Sequence, residues 1–186
     1  MELFSDLINR AAEFAAVAHS QQVRKSPEAR IPYYQHPLMV GLILQRAGCD
    51  DHVVAAGILH DVLEDTATTA EEITRQFGTR IADIVVSVSE RDKLLPWEVR
   101  KQRLLEGLRH AGPDARAVAA ADKIHNIRSI LLSLQRGVDI WSRFRRGREV
   151  QIDRFRRLLE VLRAGWDHPL VMELERAVRE LGTVSD

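Results

Sequence analysis

Apolar residues recur every three or four positions along almost the whole chain, which is the spacing that one buried face of an α-helix requires. The clearest stripe lies near the start and comprises Leu3, Leu7, Ala11, Phe14, Ala15 and Ala18. Similar stripes occupy residues 38–43, 81–88 and 155–162. No run of residues alternates between apolar and polar positions as a half-buried strand would. The pattern predicts an all-α protein.

Helix start and stop signals divide these stripes into separate elements. Pro37 is expected at the start of a helix that ends at Gly48, and Asp51 is expected to cap the next one. Further helix starts are predicted at Thr69, Pro96, Pro113 and His168-Pro169. Residues 20–36 and 89–96 show the least regular pattern and are predicted to be loops. Loops on a helical scaffold often carry binding groups.

Length, charge and cysteine content narrow the class of protein. A chain of 186 residues is expected to form one domain, residues 1–186. Lys and Arg together number 27, as do Asp and Glu, and this balance excludes a broad basic field for nucleic acid. The single cysteine, the lack of a basic leader and the short apolar runs predict a cytoplasmic protein without a membrane partner.

A polar cluster directly follows an apolar run in the middle of the chain. The run is residues 53–59, and the residues that follow include His60, Asp61, Glu64 and Asp65. If the helix continues through them, the four polar side chains share one arc of its surface. An apolar run of this kind indicates a buried helix, where carboxylates need a metal ion or a cationic partner. An ordinary solvated helix face is the alternative for His60 and Asp61 taken alone.

Two further segments carry polar groups of the same kind. Asp122 and Asn126 follow the apolar run at residues 117–121 and share a helix face at i, i+4 spacing. His36 stands immediately before the predicted helix start at Pro37. An imidazole at that position acts either as a ligand or as a side chain near the helix cap.

Taken together, these segments resemble the HD superfamily of metal-dependent phosphohydrolases. More closely, the chain is similar to the hydrolase domain of the RelA/SpoT alarmone enzymes and to small alarmone hydrolases of the metazoan SpoT homologue type. The motifs that carry the resemblance are Ala18-His19, residues 24–28, residues 32–37, residues 56–66, Phe77-Gly78 and residues 121–128. The resemblance implies a helical HD-domain fold, with a motif-bearing core at about residues 11–130 and C-terminal helices at 131–186.

The same resemblance implies a role for each site residue. The implied ligands of one metal ion, usually Mn²⁺, are His36, His60, Asp61 and Asp122. Glu64 and Asp65 would orient or deprotonate the attacking water. The implied substrate contacts are Arg24, Lys25 and Asn126, with Trp141 and Arg145 as candidates beside an arginine-rich segment. His19 is expected to form a structural hydrogen bond near the site, and His125 to be a packed imidazole.

The implied reaction is Mn²⁺-dependent removal of the 3′-pyrophosphate of ppGpp or pppGpp, which yields GDP or GTP and pyrophosphate. The substrate would be this small nucleotide, and no nucleic acid or membrane partner is expected. Ala119 stands where the family commonly has Lys, and residues 89–93 replace its usual turn, so the substrate loops differ while the ligand set is intact. The alternative is therefore a phosphohydrolase that acts on another nucleotide, such as a phosphomonoester or NADPH at its 2′-phosphate. A catalytically silent nucleotide sensor is the third reading, although such modules normally lose ligands or the Glu-Asp pair.

Overall fold

Helices make up the regular structure of the computed structural model, which describes residues 3–24, 30–90 and 92–184. They are α1 (Asp6–Ala18), α2 (Gln35–Arg46), α3 (Asp51–Leu59), α4 (Val62–Asp65), α5 (Ala70–Phe77), α6 (Thr79–Val88), α7 (Trp97–His110), α8 (Pro113–Gln135), α9 (Gly147–Arg163) and α10 (Pro169–Thr183), with a 3-10 turn at Trp141–Arg143. Within the described ranges, β pairing is confined to one antiparallel bridge between Val23 and Pro32. The prediction of a single all-α domain is confirmed.

Side-chain caps explain several of the helix starts. The Thr69 hydroxyl accepts a hydrogen bond from the Glu72 amide at 3.2 Å, as its capping box predicts. α3 is capped by Asp50 rather than by Asp51, because the Asp50 carboxylate accepts hydrogen bonds from the amides of His52 and Val53. α2 begins at Gln35, two residues before Pro37. Proline is tolerated there because amides in the first turn have no partner within the helix.

The helix that carries the central polar cluster is interrupted, so the expectation of one continuous helix through Asp65 is wrong. α3 ends at Leu59, and the backbone of Asp61 lies at φ −93° and ψ −8° before α4 begins. The break is mild, since the Asp65 amide still donates to the Asp61 carbonyl at 2.9 Å. His60 and Asp61 therefore lie at the junction between α3 and α4, while Glu64 and Asp65 lie within α4.

α3 forms the centre of the core. Each residue from Val53 to Leu59 is buried, and the helix packs against α1, α2, α6 and α8. Small residues permit the close approach to α2, because a Cβ added at Gly57 would lie 2.2 Å from Leu44 Cδ1. α2 and α8 also contact each other. This packing brings together the start of α2, the end of α3 and the middle of α8.

Within residues 3–24, 30–90 and 92–184, every helix is too short or too polar to span a lipid bilayer.

Candidate active site

The three helix segments bring two histidines and two aspartates into one buried cluster. His36 Nε2 lies 3.2 Å from Asp122 Oδ1 and 3.5 Å from Asp61 Oδ2. His60 Nε2 lies 3.2 Å from Asp61 Oδ1 and 3.8 Å from Asp122 Oδ1. Ligand atoms of His36, His60 and Asp122 all fall within 4.8 Å of one another. Both imidazoles thus direct Nε2 at the two carboxylates, and we call these four residues the His-Asp cluster.

Hydrogen bonds on the far side of each ring hold the imidazoles in this orientation. His60 Nδ1 lies 2.7 Å from the Gly57 carbonyl oxygen, which can only accept, so Nδ1 carries the proton. His36 Nδ1 lies 2.6 Å from His125 Nδ1. His60 Nε2 is buried and has no hydrogen-bond partner in the described structure. An unpartnered ring nitrogen that faces two carboxylates fits a divalent cation, because imidazole and carboxylate are both common ligands of such ions.

The charges within the His-Asp cluster also favour a bound cation. Burial alone would lower the pKa of His60, but Asp61 and Asp122 outweigh it and raise the pKa to about 9. Burial likewise opposes ionisation of the two aspartates, yet the neighbouring cationic groups lower the pKa of each carboxyl. Burial lowers the pKa of His36. The two carboxylates therefore stay ionised in the interior, where they require positive charge from a protonated imidazole or a metal ion.

Tyr33 connects the His-Asp cluster to the neighbouring acid pair. Its hydroxyl lies 2.8 Å from Asp61 Oδ2 and 3.2 Å from Asp65 Oδ2. Burial, followed by the charge of Asp61, raises the pKa of the Tyr33 phenol well above its usual value, so the group remains a donor. Sequence reasoning gave Tyr33 no role of its own. Its position three residues before His36 in the motif at residues 32–37 was the available signal.

Glu64 and Asp65 lie beside the cluster, each held by a different neighbour. The Glu90 amide donates to Glu64 Oε2 at 3.4 Å, and burial together with Asp61 raises the pKa of Glu64. Lys93 Nζ lies 3.5 Å from Asp65 Oδ1, whereas the Tyr33 hydroxyl contacts Asp65 Oδ2. A carboxylate with a raised pKa is a stronger base near neutral pH. The geometry thus provides one candidate base and one candidate orienting group.

A cavity of about 570 Å³ adjoins the cluster, a size typical of small-molecule sites. Its lining includes Tyr33, Gln35, Lys123, Asn126, Arg24, Arg136, Arg154, Ile130, Phe144 and Phe155. Asn126 Nδ2 donates to one oxygen of Asp122, and Lys123 contacts the other. Most of the wall comes from α8 and α9, and we call this space the α8–α9 cavity. It offers apolar surface and several cations next to the His-Asp cluster.

The predicted substrate contacts are distributed unevenly around this cavity. Arg24 and Asn126 line it, whereas Lys25 lies outside the described residues. Neither Trp141 nor Arg145 belongs to the described lining. Trp141 packs against Phe144 at 5.9 Å between ring centres, and Arg145 is exposed. Their assignment as substrate contacts remains a prediction.

Arg154 is the cation of α9 that sequence reasoning missed. It lines the α8–α9 cavity together with Gln151 and Phe155 of the same helix. Arg154 belongs to the arginine-rich segment, in which the linear sequence alone singles out no residue. The available signal was the helical spacing that places Gln151, Arg154 and Phe155 on one stripe, next to the apolar stripe.

The two remaining histidines of the motifs behave as expected. His19 is buried, and its Nδ1 lies 2.8 Å from Gln22 Oε1. Gln22 in turn donates to the Asp65 carbonyl, so the pair supports the acid segment. His125 is buried against His36, and burial lowers its pKa to about 3, so it is a neutral imidazole.

Comparison with known proteins finds relatives that match about two thirds of this chain. MESH1 of Xenopus tropicalis, a guanosine-3′,5′-bis(diphosphate) 3′-pyrophosphohydrolase, is 45% identical over 126 residues, which cover 67% of this chain and 69% of that protein. Human MESH1 is 44% identical over 122 residues, covering 64% and 67%. The guanosine-3′,5′-bis(diphosphate) 3′-pyrophosphohydrolase of Aquifex aeolicus is 36% identical over 125 residues, which cover 66% of this chain and 18% of that protein.

Solved structures agree in fold. A metazoan orthologue of SpoT that hydrolyses ppGpp superposes with a TM-score of 0.83 at 29% identity, and the match covers 99% of this chain and 100% of that one. A Listeria monocytogenes protein matches with a TM-score of 0.72 at 36% identity, over 81% and 97%. The family model described as HD domain matches residues 11–151, which include the whole His-Asp cluster. By this match and by its relatives, the chain belongs to the HD domain family.

Proposed function

We propose that this protein is a Mn²⁺-dependent hydrolase that removes the 3′-pyrophosphate of ppGpp or pppGpp and releases GDP or GTP and pyrophosphate. The observation that carries the proposal is the position of the buried His-Asp cluster beside a cavity that presents several cations. Relatives that share 36–45% identity with the chain are named for this reaction. The proposal places the protein in the cytoplasm, with a small nucleotide as its ligand.

His36, His60, Asp61 and Asp122 are the residues that would hold the metal ion. The two carboxylates favour a hard ion such as Mn²⁺ over softer ones, and the two imidazoles favour it over Mg²⁺ or Ca²⁺. When bound, such an ion supplies Lewis acidity that polarises a phosphoryl group and lowers the pKa of water. The Gly57 carbonyl and His125 support this assignment because they hold both rings with Nε2 directed inward.

Glu64 is the proposed general base, and Asp65 orients the attacking water. The raised pKa of Glu64 suits it to accept a proton from that water near neutral pH. The water oxygen forms a bond to the phosphorus next to the ribose 3′ oxygen, and the bond from that phosphorus to the 3′ oxygen breaks. The proton taken up by Glu64 is returned to the 3′ oxygen, and pyrophosphate leaves. The Tyr33 hydroxyl contacts both carboxylates and so holds the side chain of Asp65 in position relative to that of Asp61.

Substrate binding is proposed for Arg24, Lys25 and Asn126, which offset phosphate charge and orient the nucleotide. Arg24 and Asn126 are favoured by their position in the lining of the α8–α9 cavity. Trp141 and Arg145 lie outside that lining and would meet the substrate only at its rim.

Product analysis tests this function directly. Protein stripped with a chelator is reloaded with Mn²⁺, Mg²⁺ or Zn²⁺ and incubated separately with ppGpp, pppGpp, NADPH and a nucleoside 3′-monophosphate. We expect GDP or GTP and pyrophosphate, with the highest rate for Mn²⁺. Release of orthophosphate, or faster turnover of NADPH, would assign the chain to another phosphohydrolase. Nucleotide binding without turnover of any substrate would identify a sensor.

A further inference from the structure

Three cations from three different helices meet beside Glu64, and we call them the basic cluster: Lys101, Lys123 and Arg154. Lys101 Nζ lies 5.8 Å from the centre of the Trp97 ring, and the guanidinium carbon of Arg154 lies 5.7 Å from the same centre. Lys123 and Arg154 line the α8–α9 cavity. The basic cluster is thus distinct from the His-Asp cluster but lies next to it.

Arg154 lacks a carboxylate partner at salt-bridge distance among the described residues. Its one hydrogen bond to a side chain there goes to the neutral amide oxygen of Gln151, at 3.3 Å. Glu64 and Asp122 act on Arg154 only through space, while burial lowers its pKa without removing its charge. A guanidinium withdrawn from water favours an anion at hydrogen-bond distance. The missing counter-charge therefore points to an anionic ligand.

Lys101 and Lys123 are only partly compensated by the protein. Lys101 contacts Glu90, but Glu90 also binds Arg100, whose Nη1 lies 3.0 Å from the second carboxylate oxygen. Burial and the charges of Arg154 and Lys123 lower the pKa of Lys101 to about 7. This crowding of like charges is relieved when an anion enters among them.

The partner of Lys123 belongs to the His-Asp cluster. Lys123 contacts Asp122, the same carboxylate that faces both imidazoles. A divalent cation held by Asp61 and Asp122 would compete with Lys123 for that negative charge. The basic cluster therefore has the greatest excess of positive charge when the His-Asp cluster holds its ion.

We propose that the basic cluster is a second anion subsite, which binds a phosphate or diphosphate group of the substrate separately from the His-Asp cluster. The Trp97 ring lies within cation–π distance of both Lys101 and Arg154, which brings the cations of α7 and α9 near one another. The inference rests on the proposed function in one respect, namely that the anion is part of the same nucleotide. A nucleotide with diphosphates at two positions could place one at each cluster.

The test measures binding of inorganic pyrophosphate by calorimetry to chelator-treated full-length protein, so that no metal ion bridges the anion to the His-Asp cluster. Arg154→Gln should weaken pyrophosphate binding about tenfold or more, and Arg154→Lys should retain part of it. Arg156→Gln is the matched control, since Arg156 is an exposed cation on the same helix. Lys101→Gln on α7 provides an independent variant if the change in α9 disturbs folding, which circular dichroism monitors.

A kinetic readout separates this subsite from the proposed reaction. In the Mn²⁺-loaded enzyme, Arg154→Gln should raise KM for the nucleotide while kcat and metal affinity change little. Equal pyrophosphate affinity for the wild type and both the Arg154→Gln and Lys101→Gln variants would overturn the subsite, even if ppGpp is hydrolysed. Loss of pyrophosphate binding in these variants would support the subsite even if the wild type fails to hydrolyse ppGpp.

Discussion

The Nδ1 atoms of His36 and His125 lie 2.6 Å apart in the interior of the protein. Two lone pairs cannot share a hydrogen bond, so one of the rings carries its proton on Nδ1. The proposed metal ion would require an unprotonated His36 Nε2, so that His36 would donate through Nδ1 and His125 would accept. In that arrangement, His125 would set both the tautomer and the orientation of His36.

Replacing His125 tests this relationship. His125→Leu removes the acceptor, and we expect the affinity for Mn²⁺ to fall by about 10- to 100-fold. His125→Asn offers an oxygen near the position of Nδ1 and should restore most of the affinity. Calorimetric titration of metal-free protein measures both, with His110→Leu as the control because His110 is exposed. Unchanged affinity in His125→Leu would contradict the role.

Asp61 is expected to be essential for metal retention, because its carboxylate faces both imidazoles and also accepts from Tyr33. Asp61→Asn should lose bound metal and hydrolytic activity together. After chelation, added Mn²⁺ should restore the metal content and the activity of the wild type but not those of the variant. Metal analysis and product formation measure the two quantities. Asp83→Asn, an exposed change on α6, is the control. A variant that keeps its metal would refute the ligand assignment.

Metal affinity is expected to depend on pH through His60. Its pKa of about 9 lies above the ordinary 6.5, so His60 is protonated at neutral pH before metal binds. Binding must displace this proton, and the affinity should rise about tenfold per pH unit below pH 9. Without metal, the stabilisation from charged His60 is complete below about pH 6.5 and is lost as the pH rises through 9. Calorimetry at pH 6.5–8.5, in buffers of different ionisation enthalpy, should detect release of one proton. A metal affinity that does not change with pH would exclude the link between metal binding and deprotonation of His60.

The acid pair distinguishes a hydrolase from a sensor. Glu64→Gln and Asp65→Asn keep the shape of each side chain but remove its basicity. We expect hydrolysis to fall by about 10²- to 10⁴-fold for Glu64→Gln, with metal content and nucleotide affinity preserved. Single-turnover rates and calorimetry measure the three quantities. If Glu64→Gln reacts at a near wild-type rate, the proposed general base is wrong although the metal site stands.

Gly57 is expected to be a packing requirement of the site. A Cβ at this position would meet Leu44 Cδ1 at 2.2 Å, and the Gly57 carbonyl holds His60. Gly57→Ala should destabilise the protein by about 1–3 kcal/mol. The same change at Gly107, where a Cβ meets open space, should stabilise α7 by about 0.5–1 kcal/mol. Urea unfolding compares the two variants, and equal effects would show that the close α2–α3 contact is unimportant.

Much of the fold could be predicted from the sequence because helix formation depends on local signals. The cap at Thr69 and the buried run at residues 53–59 both appear as expected. His168 likewise begins α10 and accepts the Leu170 amide. Periodicity and capping involve residues within one or two turns, so they can be read without knowledge of the tertiary structure.

The choice of candidate site residues came mainly from the resemblance carried by the motifs, while their meeting in space came from packing. Spacing placed Asp61 near His60, but it could not show that His36 approaches Asp122 within 3.2 Å. That contact depends on how α2 and α8 pack around α3. The break after Leu59 was missed for the same reason, since nothing in the local pattern opposes a continuous helix there.

Tertiary structure alone decided which groups border the α8–α9 cavity. Several arginines lie close together between residues 143 and 157, and the rotation of α9 against α8 turns Arg154 towards the cavity while Arg156 of the same helix stays exposed. The link from Tyr33 to Asp61 and Asp65 likewise joins residues about 30 positions apart. Local sequence determines where helices form, whereas the burial of their apolar faces determines which polar side chains meet.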